Sequence, residues 1–122
     1  MKHGCSSRLR LLAALVAALP AACASGPPRP TAVDAERLTA RWPDLGLADL
    51  EHGRELYVGR CSSCHVLYEP ASFGSERWEV ELRKMRDRAR LDDDQELRIL
   101  QYLVSVSGRA ESASTTSPIK SQ

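Results

Sequence analysis

The pattern of apolar and polar residues predicts helices and no strands. Trp78, Leu82 and Met85 lie at positions i, i+4 and i+7, so they share one face of a helix that starts near Ser75. A later helix starts at Asp92, which with the glutamine three residues on resembles a capping box. Its apolar residues also recur at helical spacing and are Leu97, Ile99, Leu100, Leu103, Val104 and Val106. No segment alternates apolar and polar residues as a strand does, so the predicted fold class is all-α.

Prolines and glycines set the ends of the other elements. Pro43 ends a short helix over residues 32–42, because the residue before a proline disfavours the helical conformation. A helix is predicted over residues 49–59, and residues 66–74 are predicted to be a loop because they contain a proline and a glycine. Gly108 is expected to stop the last helix.

The first 22 residues have the features of an export signal. Lys2 and two arginines precede an apolar run, Leu11–Leu19, that is too short to span a bilayer. Cleavage before Cys23 resembles the processing of a bacterial lipoprotein, in which that cysteine is lipidated. Cleavage after Ala24, at an A-x-A-like site, is the other option. The lipoprotein is favoured because a free cysteine there otherwise has no role. The protein is therefore expected in the periplasm, anchored to a membrane by a lipid on Cys23.

Residues 25–31 contain three prolines and one glycine and are predicted to form a stiff, solvated linker. Residues 1–22 hold three of the 17 Lys/Arg and none of the 16 Asp/Glu, so the remainder has a net charge of −2, which argues against a nucleic-acid partner. Four parts are expected along the chain: a signal peptide (1–22), a linker and short helix (23–44), a helical domain (45–107) and a Ser/Thr-rich disordered tail (108–122).

Residues 61–65 form the sequence C-x-x-C-H, which is the attachment motif of haem c. Two thiols at this spacing reach the two vinyl groups of one porphyrin, and the histidine then falls under the iron. A zinc site would need two more Cys or His ligands nearby, and a thioredoxin-like pair would lie near a βαβ pattern; the sequence has neither. One covalent haem c is therefore expected, with thioether bonds to Cys61 and Cys64 and with His65 as proximal ligand.

The sixth iron ligand has three candidates. Met85 is the only methionine left once Met1 is removed with the signal, and a His/Met pair favours Fe(II). His52 is the rival, nine residues before Cys61, but a helix there would direct it away from the iron or onto the surface. An open sixth site is the third option. We further expect a carbonyl in the loop around Pro70 to accept a hydrogen bond from the other ring nitrogen of the proximal histidine.

The segment from Gly53 to Tyr57, followed by the C-x-x-C-H motif, resembles the first helix of small class I cytochromes c. A later W…M…A-x-L…I-x-x-Y-L pattern resembles that of short bacterial monohaem cytochrome c domains, and the likeness extends over residues 45–106. This resemblance implies an all-α fold in which the first and last helices cross near the haem. It implies that Gly53 allows the close crossing, that Tyr57 and Tyr102 pack there, and that Met85 is the distal ligand.

The sequence predicts an electron carrier rather than an enzyme. It shows no Ser-His-Asp set, no paired carboxylates and no phosphate-binding loop. A haem-based sensor or small peroxidase with an open iron site is the alternative, and a subunit passing electrons within a larger complex is a third possibility. Basic residues around Met85 are expected to attract an acidic redox partner; they are Arg83, Lys84, Arg86, Arg88 and Arg90.

Overall fold

Four α-helices make up most of the part of the chain that the structure describes. The structure is a computed structural model, which describes the backbone of residues 26–115 and the side chains of residues 26–109. Its helices are α1 (Ala32–Glu36), α2 (Leu47–Leu56), α3 (Ser75–Ala89) and α4 (Asp93–Thr115), with a π-helical turn at Tyr57–Cys61 and a 3-10 turn at Pro70–Ser72. Residues 26–115 contain no strand, and the all-α prediction is confirmed.

The predictions about the signal peptide and the lipid anchor concern residues before the described range. The predicted signal peptide and Cys23 lie outside the described residues. Among the helices within that range, none combines the length and the apolar character that a membrane span requires.

The ends of the long helices are fixed by local hydrogen bonds. At the start of α4 the backbone amide of Gln95 donates to Asp92 Oδ1 (2.8 Å), and the amide of Asp92 faces Gln95 Oε1 (3.4 Å), which confirms the predicted capping box. At the end of α3, Arg90 adopts a left-handed conformation (φ 52°) and the amide of Leu91 donates to the carbonyl of Arg86 (3.1 Å). These bonds stop α3 and start α4 within four residues.

Helices α2 and α4 cross in direct backbone contact at Gly53. A Cβ atom on residue 53 would overlap the carbonyl group of Arg98 and lie 2.9 Å from the Cβ of Tyr102. Beside the crossing, the rings of Tyr57 and Tyr102 pack with their centroids 6.0 Å apart. The close crossing implied by the resemblance is confirmed, and it fixes the position of the turn that leads into the motif.

Two clusters of buried side chains form the core. A small cluster joins α1, the following turns and α2 through Ala35, Leu45 and Leu50. The larger cluster lies between α2, the π turn, α3 and α4, and its members are Tyr57, Cys61, Trp78, Leu82, Leu91, Ile99, Tyr102, Leu103 and Val106. Leu97, predicted among the apolar positions of α4, is instead 40% exposed.

The last helix does not stop at Gly108, and the disordered tail predicted over residues 108–122 is wrong for residues 108–115. Helix α4 continues to Thr115. One turn past the buried part of α4, Arg109 donates to the carboxylate of Asp34 (Nε to Oδ1, 2.9 Å) and to the carbonyl of Arg29 (2.8 Å). These bonds hold the helix against the start of the described chain, so no helix end is needed at the glycine.

The predicted solvated linker is also wrong for residues 26–31, which are docked on the helices. Arg54 donates to the carbonyl of Pro27 (3.0 Å), and the hydroxyl of Tyr102 donates to the carbonyl of Pro28 (2.8 Å). Pro27 is buried. Proline removes a donor but leaves a free carbonyl, so a proline-rich segment can be held by side chains that donate to it.

The two predicted helices before the motif have shorter regular parts than expected. Of residues 32–42, only Ala32–Glu36 form an α-helix, and turns continue to Arg41. The helix predicted over residues 49–59 begins at Leu47 and ends at Leu56, where the π turn takes over.

Candidate functional site

The C-x-x-C-H motif lies where α2 changes into a π turn. This turn widens the helix by one residue, a feature that is frequent at functional sites. It directs Cys61 into the core, where the residue is 8% exposed, whereas Cys64 and His65 are exposed. The motif therefore presents one thiol at the edge of the core and the second thiol and the imidazole on the outside.

The environment of Cys61 disfavours a thioredoxin-like role. Burial raises the pKa of its thiol to about 11, and the neighbouring Cys64 adds to the rise. A thiol that exchanges disulfides needs a lowered pKa, because the thiolate is the nucleophile. Neither motif cysteine forms a disulfide. Cys61 therefore lacks the lowered pKa that redox exchange requires.

The imidazole of His65 contacts the carbonyl of the next residue, at the start of the loop that contains Pro70. Its Nδ1 lies 2.7 Å from the carbonyl oxygen of Val66. Because a carbonyl only accepts, Nδ1 carries the proton and Nε2 keeps the lone pair that a metal would use. The acceptor therefore belongs to the predicted loop over residues 66–74, but it is the first residue of that loop; the Pro70 carbonyl itself accepts the indole Nε1–H of Trp78 (2.9 Å).

A chain of aromatic rings links His65 to the core. The centroid of Tyr68 lies 5.5 Å from those of both His65 and Phe73, and Phe73 packs edge-to-face on Trp78 at 4.9 Å. Buried Tyr57 donates its hydroxyl to the carbonyl of Tyr68 (2.6 Å), and burial raises the pKa of Tyr57, so the phenol remains a donor. The loop over residues 66–74, named here the aromatic loop, was predicted from the sequence, but its ring packing was not; the aromatic residues after the motif were the available signal.

Met85 lies on the predicted face of α3 but is less buried than its neighbours there. Trp78 and Leu82 are 1% and 2% exposed, whereas Met85 is half-buried. Met85 makes no hydrogen bond in the described structure. Its role as a ligand stays a prediction, and the rival His52 is exposed on α2.

The basic residues of α3 fall into two groups. Lys84 and Arg77 both pair with Glu81 (3.2 and 2.7 Å), and Arg86 pairs with Glu96 (3.0 Å) and Asp93 on α4. Within the described residues, three of the predicted set form no ion pair; they are Arg83, Arg88 and Arg90.

One side of α3 is adjacent to the aromatic loop. The guanidinium of Arg77 lies 5.7 Å from the ring centroid of Phe73. Lys84 and Arg88 follow Arg77 at i+7 and i+11, so the three share a helix face, named here the basic stripe. The predicted set omitted Arg77, whose spacing to Lys84 was the available signal.

The chemistry of the site fits a covalently attached haem. Two free thiols and an imidazole with its Nε2 lone pair are the donors that a c-type haem uses. Apolar surface is exposed beside them, since Val66 is 90% and Tyr68 50% exposed. A flat apolar group held by the motif would cover such surface.

One family model matches the chain, that of the dihaem cytochromes c, over residues 57–122. The match begins at the π turn, contains the motif and covers more than half of the sequence. No curated protein and no solved structure matches the chain. The family name states two haems, whereas the sequence has a single C-x-x-C-H motif, its four cysteines being Cys5, Cys23, Cys61 and Cys64.

Proposed function

The chain belongs to the dihaem cytochrome c family, and from this membership we propose that it is a c-type cytochrome that transfers single electrons. From its single C-x-x-C-H motif we propose that it carries one covalent haem c. Haem iron supplies the one-electron chemistry by alternating between Fe(II) and Fe(III). The single observation that carries the proposal is the motif geometry, with its two free thiols and the Nε2 of His65 beside exposed apolar surface.

Each residue of the motif has a defined task. The thiols of Cys61 and Cys64 would each add S–H across one vinyl double bond, so two thioether bonds form and no atom is lost. His65 would donate Nε2 to the iron while its Nδ1–H remains on the Val66 carbonyl. Met85 would supply the sixth ligand from α3.

The haem count of one rests on the motif count, since each covalent haem c requires its own pair of cysteines. The test is the intact mass of the protein after expression with a c-type maturation system. We expect the mass of one haem on the wild type and of none on the Cys61→Ala/Cys64→Ala variant, with His52→Ala as a control that keeps it. A mass increase of two haems would refute the count, and none on the wild type would refute the function.

Export and lipidation are the second part of the proposal. The basic and apolar start of the chain and the position of Cys23 support an exported lipoprotein in the periplasm. Fractionation of cells is the test: Cys23→Ser should move the haem-stained protein from the membrane to the soluble periplasmic fraction. Wild-type protein that is already soluble would exclude the lipid anchor without affecting the haem.

A further inference from the structure

The loop that follows the motif is held by two buried side chains that donate to its carbonyls. Tyr57, 3% exposed, donates to the carbonyl of Tyr68 (2.6 Å), and Trp78, 1% exposed, donates to the carbonyl of Pro70 (2.9 Å). One donor lies on the π turn and the other on α3. Both anchors are in the core, so the loop has one position relative to the motif.

Tyr68 lies within this loop, and its ring is not part of the buried core. The residue is 50% exposed, and its own hydroxyl makes no hydrogen bond in the described structure. Its ring instead stands 5.5 Å from the imidazole of His65 at an angle of 58°, with Phe73 behind it at 5.5 Å. A half-exposed ring between an anchored backbone and the imidazole limits the directions in which the imidazole can turn.

We propose that Tyr68, fixed through its carbonyl by Tyr57, is the positioning residue for the imidazole of His65. The inference rests on the proposed function, because the imidazole needs a fixed orientation only as an iron ligand. The ring of Tyr68 keeps Nδ1–H directed at the Val66 carbonyl. That hydrogen bond makes the imidazole a stronger electron donor, which stabilises Fe(III). Loss of the ring should therefore weaken the bond and raise the reduction potential of the haem.

The test compares four variants of the haem-loaded protein by redox titration and by electron paramagnetic resonance of the oxidised form. Tyr68→Leu removes the ring, and Tyr57→Phe removes the anchor; both should raise the midpoint potential and change the low-spin signal. Tyr68→Phe keeps the ring and should behave as wild type. Tyr102→Phe is the matched control, since it also removes a buried phenol bond, to the carbonyl of Pro28 (2.8 Å), away from His65.

The outcomes separate the inference from the function on which it rests. If Tyr68→Leu keeps the wild-type potential and signal, the positioning role is refuted while the cytochrome remains. If Tyr102→Phe shifts the potential as much as Tyr57→Phe, the effect is general loosening of the core and the role is also refuted. Absence of covalent haem from the wild type refutes the proposed function first.

Discussion

At the scale of single residues, Met85 separates the two competing functions. If its sulfur ligates the iron, Met85→Ala should abolish the weak sulfur-to-iron charge-transfer band of the oxidised protein and open the iron to carbon monoxide. Absorption spectra of both redox states, with and without carbon monoxide, measure this. Leu82→Ala is the control for loss of an apolar side chain from the same face of α3.

A spectrum that does not respond to Met85→Ala would contradict ligation by Met85. Carbon monoxide binding by the wild type would then indicate an open iron and favour the sensor or peroxidase. If the wild type does not bind carbon monoxide, His52 becomes the candidate ligand, and absorption spectra of His52→Ala test it. Met85 is half-buried on the same face of α3 as Trp78 and Leu82, so a bound haem would cover the exposed part of its thioether.

The residues that sequence reasoning found and missed differ in how they are encoded. Haem attachment requires Cys61, Cys64 and His65 at this spacing, so the sequence alone is enough to identify them. Tyr68 belongs to a loop, where no periodicity relates position to contact, and its partner Tyr57 lies 11 residues away. The carbonyl that accepts from the imidazole depends on backbone conformation, which the sequence does not show.

At the scale of elements, the crossing of α2 and α4 should not tolerate a side chain at residue 53. Gly53→Ala would place a Cβ against the backbone carbonyl of Arg98, which cannot rotate away, so the helices must separate. We expect a loss of about 2–3 kcal/mol in the free energy of unfolding, as for overpacked cores. Urea denaturation measures it.

Gly59 provides the matched control for this prediction. A Cβ at Gly59 would meet nothing within 4 Å, so Gly59→Ala should leave stability unchanged or raise it by up to about 1 kcal/mol. Equal effects of the two substitutions would show that the crossing is not the cause.

The contact between α1 and the end of α4 should make stability depend on acid. Asp34 is 2% exposed; burial alone would raise the pKa of its carboxyl, but hydrogen bonds from Arg109 and Thr31 outweigh it and lower the pKa to about 2. The folded pKa is below the ordinary value of 3.8, so this contribution is complete above about pH 4 and is lost as pH falls towards 2.

Unfolding measured from pH 6 to pH 2 checks this sign. The wild type should lose stability below pH 4, and Asp34→Asn should be less stable at neutral pH by roughly 2–3 kcal/mol with a flatter acid dependence. Glu36→Gln, at an exposed position of the same helix, is the control. An unchanged acid slope in Asp34→Asn would contradict the assignment.

The same contact explains why the element limits were misjudged. Asp34 and Arg109 are 75 residues apart, and the bond between them holds both the docked segment and the extension of α4. Local signals, a glycine and a run of prolines, predicted an end and a linker. Tertiary contacts override such signals, whereas the capping box at Asp92 and Gln95 was predicted correctly because both partners are local.

At the scale of the whole molecule, charge is distributed unevenly over a chain whose net charge is small. The part after residue 22 has a net charge of −2, yet the basic stripe of α3 begins at Arg77 beside the aromatic loop, and Glu81 neutralises only part of the stripe. A local positive field attracts anions even when the net charge is slightly negative, provided that they approach within about 8–10 Å at physiological salt. We propose that an acidic redox partner docks at this stripe.

Rates of electron transfer with small reagents test the stripe without a known partner. In low salt, Arg88→Glu should slow oxidation by ferricyanide several-fold and accelerate oxidation by a cationic cobalt complex, at unchanged reduction potential. Arg83→Glu is the matched control, since Arg83 lies on the same helix but lines a groove with Arg41 and Leu97. Near 1 M salt the differences should vanish, because the screening length falls to about 3 Å. If Arg83→Glu slows ferricyanide equally, net charge rather than the stripe governs the approach, and the docking surface is elsewhere.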